Sequence, residues 1–254
     1  MRNRGQGLGI GGSGRRASGW GLGIVAGLFM MGSAGFGGDT PAARGEPTPK
    51  IAVTIYNYAQ APSASLDEAE AVAARIFERA GIESSWQEHR ATAARSETIA
   101  SPLRTRNEVH ITMHIVPQSM VVRLAPNHIC LGLSVVPGGN KRGDMAYVFY
   151  HRVEELARAR NLSAGDSLGH AMAHEIGHLM LGTNSHSPTG LMRARWDLSD
   201  MLRAATGWLI FTDGESKRLL NEVRARADEA RTNRAAADSK EHKASPEQPI
   251  PPGK

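Results

Sequence analysis

Residues 167–181 read as an apolar helix that carries ionisable side chains along its length. Leu168, Ala171, Met172, Ile176, Leu179 and Met180 recur at helical spacing, around enough of the circumference to bury most of the helix. His170, His174, Glu175 and His178 lie on the same segment. A buried polar group without a partner costs free energy, so a fold that buries this helix must satisfy two of these histidines, His174 and His178, and the glutamate. A metal ion would do so. His174 and His178 are four residues apart and project from one face, so both can reach a single ion. Glu175, beside the first of them, can stand next to a metal-bound water and take its proton. His170 extends the row by one turn, but three successive turns span about 12 Å, too far for one ion on a straight helix. Ala171, not a glutamate, follows His170, which is therefore expected to pack or to support its neighbours.

The helix is expected to break at Gly182 and turn the chain toward His186. After it come Ser187, Pro188, Thr189, Gly190, Leu191 and Met192. The run from His174 to His178, a glycine, a third histidine and Gly190-Leu191-Met192 together resemble the metzincin zinc peptidases, the matrixin branch most of all. That branch reads HExGHxxGxxHS, then a proline and an Ala-Leu-Met. The resemblance covers residues 174–192 and departs from the pattern in one place. Leu181 and Asn184 stand where the family has its glycine and third ligand, whereas Gly182 and His186 supply those residue types here. Pro188, Leu191 and Met192 keep the family's places, so the loop is rebuilt between fixed ends.

The resemblance implies an α+β, metzincin-like (zincin) catalytic domain, with a mixed sheet, an active-site helix and C-terminal helices. It implies Zn²⁺ held by His174, His178 and His186, with Asn184 and Asp197 as alternatives for the third ligand. A neutral amide is the weaker donor; the Asp197 carboxylate would serve if His186 turned away. Glu175 would be the general base for a metal-activated water, and Met192 an apolar floor under the ligands. Gly177 would leave a bare patch on the helix for another segment to approach. The implied function is a zinc-dependent endopeptidase acting on a peptide or protein substrate. Two other classes compete: an exported zinc-binding protein of the same fold without peptidase activity, and a membrane-anchored interaction protein. Glu175 favours the first, because a purely structural zinc site does not need it.

The rest of the chain frames this stretch. Of 30 basic residues, Arg2, Arg4, Arg15 and Arg16 precede the first acid, Asp39; without them the charge is nearly balanced against 25 acids. The basic excess therefore lies in the leader and gives no sign of nucleic-acid binding. The apolar, uncharged residues 20–35 follow it, so residues 1–38 are expected to be a signal peptide or membrane anchor. This implies an exported protein, periplasmic or secreted, with membrane association through that segment if it is retained. Residues 39–50 read as a linker, 51–230 as the peptidase-like domain and 231–254 as a disordered tail of Ala, Asp, Lys, Glu and Pro. Cys130 is the only cysteine, forms no intrachain disulfide and is expected in the core.

Within the domain, strands are expected over residues 51–58, 82–88, 109–116, 131–136 and 146–150. Helices are expected over 66–80, capped by Ser65 with Glu68, then over 151–160, 167–181 (capped by Asp166), 198–206 and 212–230. His110 and His114 share one face of a strand and are expected on a polar sheet surface. The strand 146–150, just before the metal-binding helix in sequence, is a candidate edge for pairing with a peptide.

Overall fold

The computed structural model describes residues 48–89, 108–124, 130–137, 142–182 and 184–244. The expected leader, nearly all of the linker and the last ten residues lie outside them. Five strands form one mixed sheet: β1 (Lys50–Asn57), β2 (Glu83–Glu88), β3 (Glu108–Val116), β4 (Gly132–Val135) and β5 (Met145–Phe149). Their order is β2-β1-β3-β5-β4; β4 alone runs antiparallel to its neighbour. Six helices accompany them among the described residues: α1 (Ser63–Arg79), α2 (Gln118–Leu124), α3 (Tyr150–Arg160), α4 (Ala164–Leu181), α5 (Leu198–Ala205) and α6 (Asp213–Ala244).

The alternation in β3 works as expected: Val109, Ile111, Met113 and Ile115 are buried, while His110, Thr112 and His114 are only partly so. Ile51, Val53 and Ile55 of β1 share the same core. Leu66, Ala69, Val72, Ile76 and Phe77 of α1 and Leu168, Met172 and Ile176 of α4 complete it. Burying each large side chain contributes about 1.5–3 kcal/mol. The close packing of α4 on α1 depends on a missing side chain: a Cβ on Gly169 would lie 2.5 Å from the Ala69 carbonyl oxygen.

Several local expectations are corrected. The helix α1 starts at Ser63 with Pro62 as its N-cap and no side-chain cap. Pro62 has φ −57°, already suited to entering a helix, and Asn57 pins the preceding residue through both the N–H and C=O of Ala61. Glu68 instead accepts from the Ser163 hydroxyl. Ser163, not Asp166, caps α4, its Oγ accepting from the amides of Gly165 (3.1 Å) and Asp166 (3.4 Å). Asp166 sits in the first turn, where a carboxylate favours the helix dipole. Residues 118–124, which fall in none of the expected strands or helices, form α2 just after Pro117.

The expected tail is corrected in part: α6 continues past residue 230 to Ala244. Extending an existing helix adds a hydrogen bond per residue without a new nucleation cost, and this stretch carries several Ala, Arg and Lys residues, all good helix formers. The strand 146–150 is not an edge. It is β5, enclosed by β3 and β4, and β4 takes the edge position. No described helix is long and apolar enough to cross a membrane; the apolar residues 20–35 lie outside the described residues.

Candidate metal centre

The helix α4 presents His174 and His178 one turn apart, and the chain after Gly182 brings His186 back beside them. Gly182 ends the helix with φ +96°, a conformation that favours glycine. One ligand-type nitrogen from each of the three histidines lies within 4.8 Å of the others, an arrangement that can hold a metal ion. His178 Nε2 is 3.1 Å from both His174 Nε2 and His186 Nε2.

The hydrogen bonds decide what these close approaches mean. His174 Nδ1 is 2.8 Å from the Leu191 carbonyl oxygen, which only accepts, so Nδ1 carries the proton. The Ser185 hydroxyl donates to the Gly182 carbonyl at 2.6 Å, leaving its oxygen to accept from His178 Nδ1 at 2.9 Å. In the neutral rings both Nε2 atoms then carry lone pairs, and they face one another at 3.1 Å. Two facing lone pairs repel unless a cation lies between them. Around a tetrahedral ion with Zn–N bonds of 2.0–2.1 Å, adjacent ligand nitrogens are about 3.3 Å apart, close to the spacing seen. Burial, first among the causes, lowers the pKa of His174 to about 4, and burial also lowers that of His178. Both rings are thereby kept neutral, as metal ligation requires.

Glu175 is buried on the next position of α4. Burial raises its pKa to about 7, although the bond with Ser134 favours the charged form. Ser134 Oγ, on the edge strand β4, lies 2.7 Å from Glu175 Oε2. Gly132, on the same strand, makes room for the acid: a Cβ there would sit 2.6 Å from both Glu175 Cγ and the Tyr147 carbonyl oxygen. A cavity of about 660 Å³ opens over these groups, lined by His174, Glu175, His178, His186, Ser134 and Trp196 among others.

Gly177 does leave a bare patch, filled by Met192 and Phe211; a Cβ on it would meet the Met192 sulfur at 2.4 Å. Met192 is fully buried, and the carbonyl of its neighbour Leu191 accepts from both His174 Nδ1 and Trp196 Nε1 (3.0 Å). Asn184 is exposed. Asp197 is outside the histidine cluster and caps α5, accepting from the amides of Ser199 (2.8 Å) and Asp200 (3.1 Å). Its pairing with Arg193, first, holds its carboxyl well below the usual range.

His170 is buried and donates through Nδ1 to the Asp166 carbonyl at 2.8 Å, apart from the cluster. His110 and His114 are likewise outside it; the His114 ring stacks on Tyr147 with centroids 4.9 Å apart. Cys130 is partly buried against Val116, Val121 and Phe149 and also touches the cavity, and burial pushes its thiol pKa up. Ser134, Gly132, Ser185 and the Leu191 carbonyl went unread in the sequence. None belongs to a spacing pattern, and only their contacts mark them.

No family model matches the chain, and no curated protein matches it. Among solved structures, a zinc-dependent peptidase from Methanocorpusculum labreanum (strain Z) aligns with a TM-score of 0.43 and 13% identity, over 66% of this chain and 99% of that one. A likeness of that size carries no argument about activity.

Proposed function

We propose that this chain is a zinc-dependent endopeptidase of the metzincin, matrixin-like kind, with His174, His178 and His186 holding the metal and Glu175 as general base. One observation carries the reading: the Nε2 lone pairs of His174 and His178 face each other at 3.1 Å, with His186 Nε2 3.1 Å from the second, in a cavity that a buried carboxylate also lines. When bound, zinc would polarise a substrate carbonyl and lower the pKa of water.

The residues of the chain supply the rest. The Leu191 carbonyl and the Ser185 hydroxyl fix the tautomers of His174 and His178, so that both offer Nε2. The Glu175 carboxylate takes a proton from the attacking water and returns it to the leaving amine. Ser134 holds Oε2 in place while that proton moves. β4, the edge strand among the described residues, carries Gly132 and Ser134 and offers backbone groups with which an extended peptide can pair. Residues 1–38 would export the protein or tether it to a membrane, and the substrate would be a peptide or protein outside the cytoplasm.

The test separates this reading from a zinc-binding protein without activity. The purified protein should carry zinc and cleave a peptide library or casein. Glu175→Gln should keep the zinc and lose at least about 100-fold in cleavage. Unchanged cleavage in Glu175→Gln would overturn the mechanism, and a zinc-loaded parent that cleaves nothing would favour the inactive alternative.

A further inference from the structure

Residues 193–196 form one wall of the cavity over the three histidines, and the two arginines in that wall are unlike. Arg193 is committed to acids: its Nη1 lies 2.7 Å from Asp200 Oδ2 and also pairs with Asp197. Arg195 is exposed and has no ion pair or hydrogen bond among the described residues. The one acid among the described lining residues is Glu175, which is buried and held by Ser134. Much of the remaining wall is apolar, with Leu131, Leu133, Leu156 and Ala171. A cation at the rim of such a cleft, without an internal counter-charge, draws anionic groups of a ligand toward it.

We propose that Arg195 is a specificity-determining residue that pairs with a carboxylate of the substrate, so that this cleft prefers acidic peptides. The proposal rests on the peptidase reading and goes beyond it by naming the substrate class. The planar guanidinium matches a carboxylate in a two-point fork, whereas an amide of the same shape offers only one acceptor. Two sources could present that carboxylate: an Asp or Glu side chain near the scissile bond, or the free C-terminus of a peptide.

The test uses binding, which does not require turnover. In zinc-loaded Glu175→Gln protein, matched peptides differing by Glu or Gln, and by a free or amidated C-terminus, are titrated. A carboxylate-bearing peptide should bind about fivefold more tightly than its neutral counterpart, with the difference shrinking as salt is raised. Adding Arg195→Ala should erase the difference, and adding Arg195→Glu should turn the preference toward a Lys-bearing peptide. A difference carried by the C-terminus alone, and erased by Arg195→Ala, assigns the pairing to the terminal carboxylate. Equal affinities, a preference that survives Arg195→Ala, or no binding of any peptide overturns the proposal. Cleavage by the parent protein, measured separately, decides the peptidase reading.

Discussion

Ser134 Oγ lies 2.7 Å from Glu175 Oε2 and 2.7 Å from the carbonyl oxygen of the same residue. One hydroxyl proton cannot serve both acceptors at once. When it goes to the carbonyl, the Oε2 contact is a hydrogen bond only if Glu175 is protonated and donates to Ser134. When it goes to Oε2, it stabilises the carboxylate. Ser134 thus accommodates both protonation states of the acid. Its bond lowers the Glu175 pKa, so Ser134→Ala should shift the acidic limb of the kcat/KM profile upward in pH and reduce its plateau about fivefold. A pH–rate profile that does not move would show that Ser134 has no part in the proton transfer.

The buried Glu175 also makes the metal-free protein pH-sensitive. Its folded pKa of about 7 lies above the ordinary value of 4.5, so the folded state binds the proton more tightly than the unfolded chain does. The associated stability is fully present below pH 4.5 and is lost as pH rises through 7, an effect of about 3 kcal/mol at most. His174 acts in the opposite sense. With its pKa lowered to about 4, its contribution is present above the ordinary value of 6.5 and is lost as pH falls toward 4. In metal-free protein, Glu175→Gln should therefore unfold at a higher temperature than the parent at pH 8. The gap should close as the pH is lowered to 4.5. Paired thermal melts across this range check it.

Two glycines at the site should respond differently to alanine. At Gly132 the added Cβ would meet Glu175 Cγ and the Tyr147 carbonyl oxygen, each at 2.6 Å, and the carbonyl belongs to the sheet backbone and cannot easily give way. Gly132→Ala should displace Glu175, costing about 100-fold in kcat/KM while zinc content is retained. At Gly182 nothing lies within 4 Å of such a Cβ; only the φ of +96° resists it. Gly182→Ala should cost about 1 kcal/mol of stability, read from denaturant unfolding.

Ser185 links the helix end to the ring of His178, a candidate metal ligand. It is buried, donates to the Gly182 carbonyl and accepts from His178 Nδ1. Ser185→Ala leaves that ring nitrogen without a partner and free to carry the wrong tautomer. Zinc affinity, measured by competition with a chelator, should fall about 10- to 100-fold.

The C-terminal helix α6 is tied to α4 through Arg226. Arg226 donates to the Gly143 carbonyl at 2.7 Å and to the Leu179 carbonyl near the end of α4. Its side chain is nearly buried, so Arg226→Ala removes these bonds and strands the carbonyls. It should cost about 2–3 kcal/mol in chemical unfolding, whereas shortening the chain after residue 230, where residues 231–236 are exposed, should cost less than about 1 kcal/mol.

Much of this molecule was legible because its signals are periodic. The period of two in β3 put His110 and His114 on one face, and the helical spacing of Leu168, Met172 and Ile176 marked the buried side of α4. The four-residue spacing of His174 and His178 placed both rings on one side of α4. Features set by contacts between distant segments were not legible. The strand 146–150 looked like an available edge, because sequence order does not reveal that β4 pairs outside it. Ser163 displaced Asp166 as the cap of α4, since several polar residues stood near the same helix start. His186 and Asp197 were both open as third members of the histidine group. The turn at Gly182 carries His186 to within 3.1 Å of His178, while the start of α5 occupies Asp197 as its cap. Local geometry repeats along the chain, so residue order alone dictates which side chains stand on the helix that carries His174 and His178. Tertiary packing chose which oxygen holds each imidazole and which glycine makes room for Glu175, because those partners lie between 7 and 43 residues away along the chain.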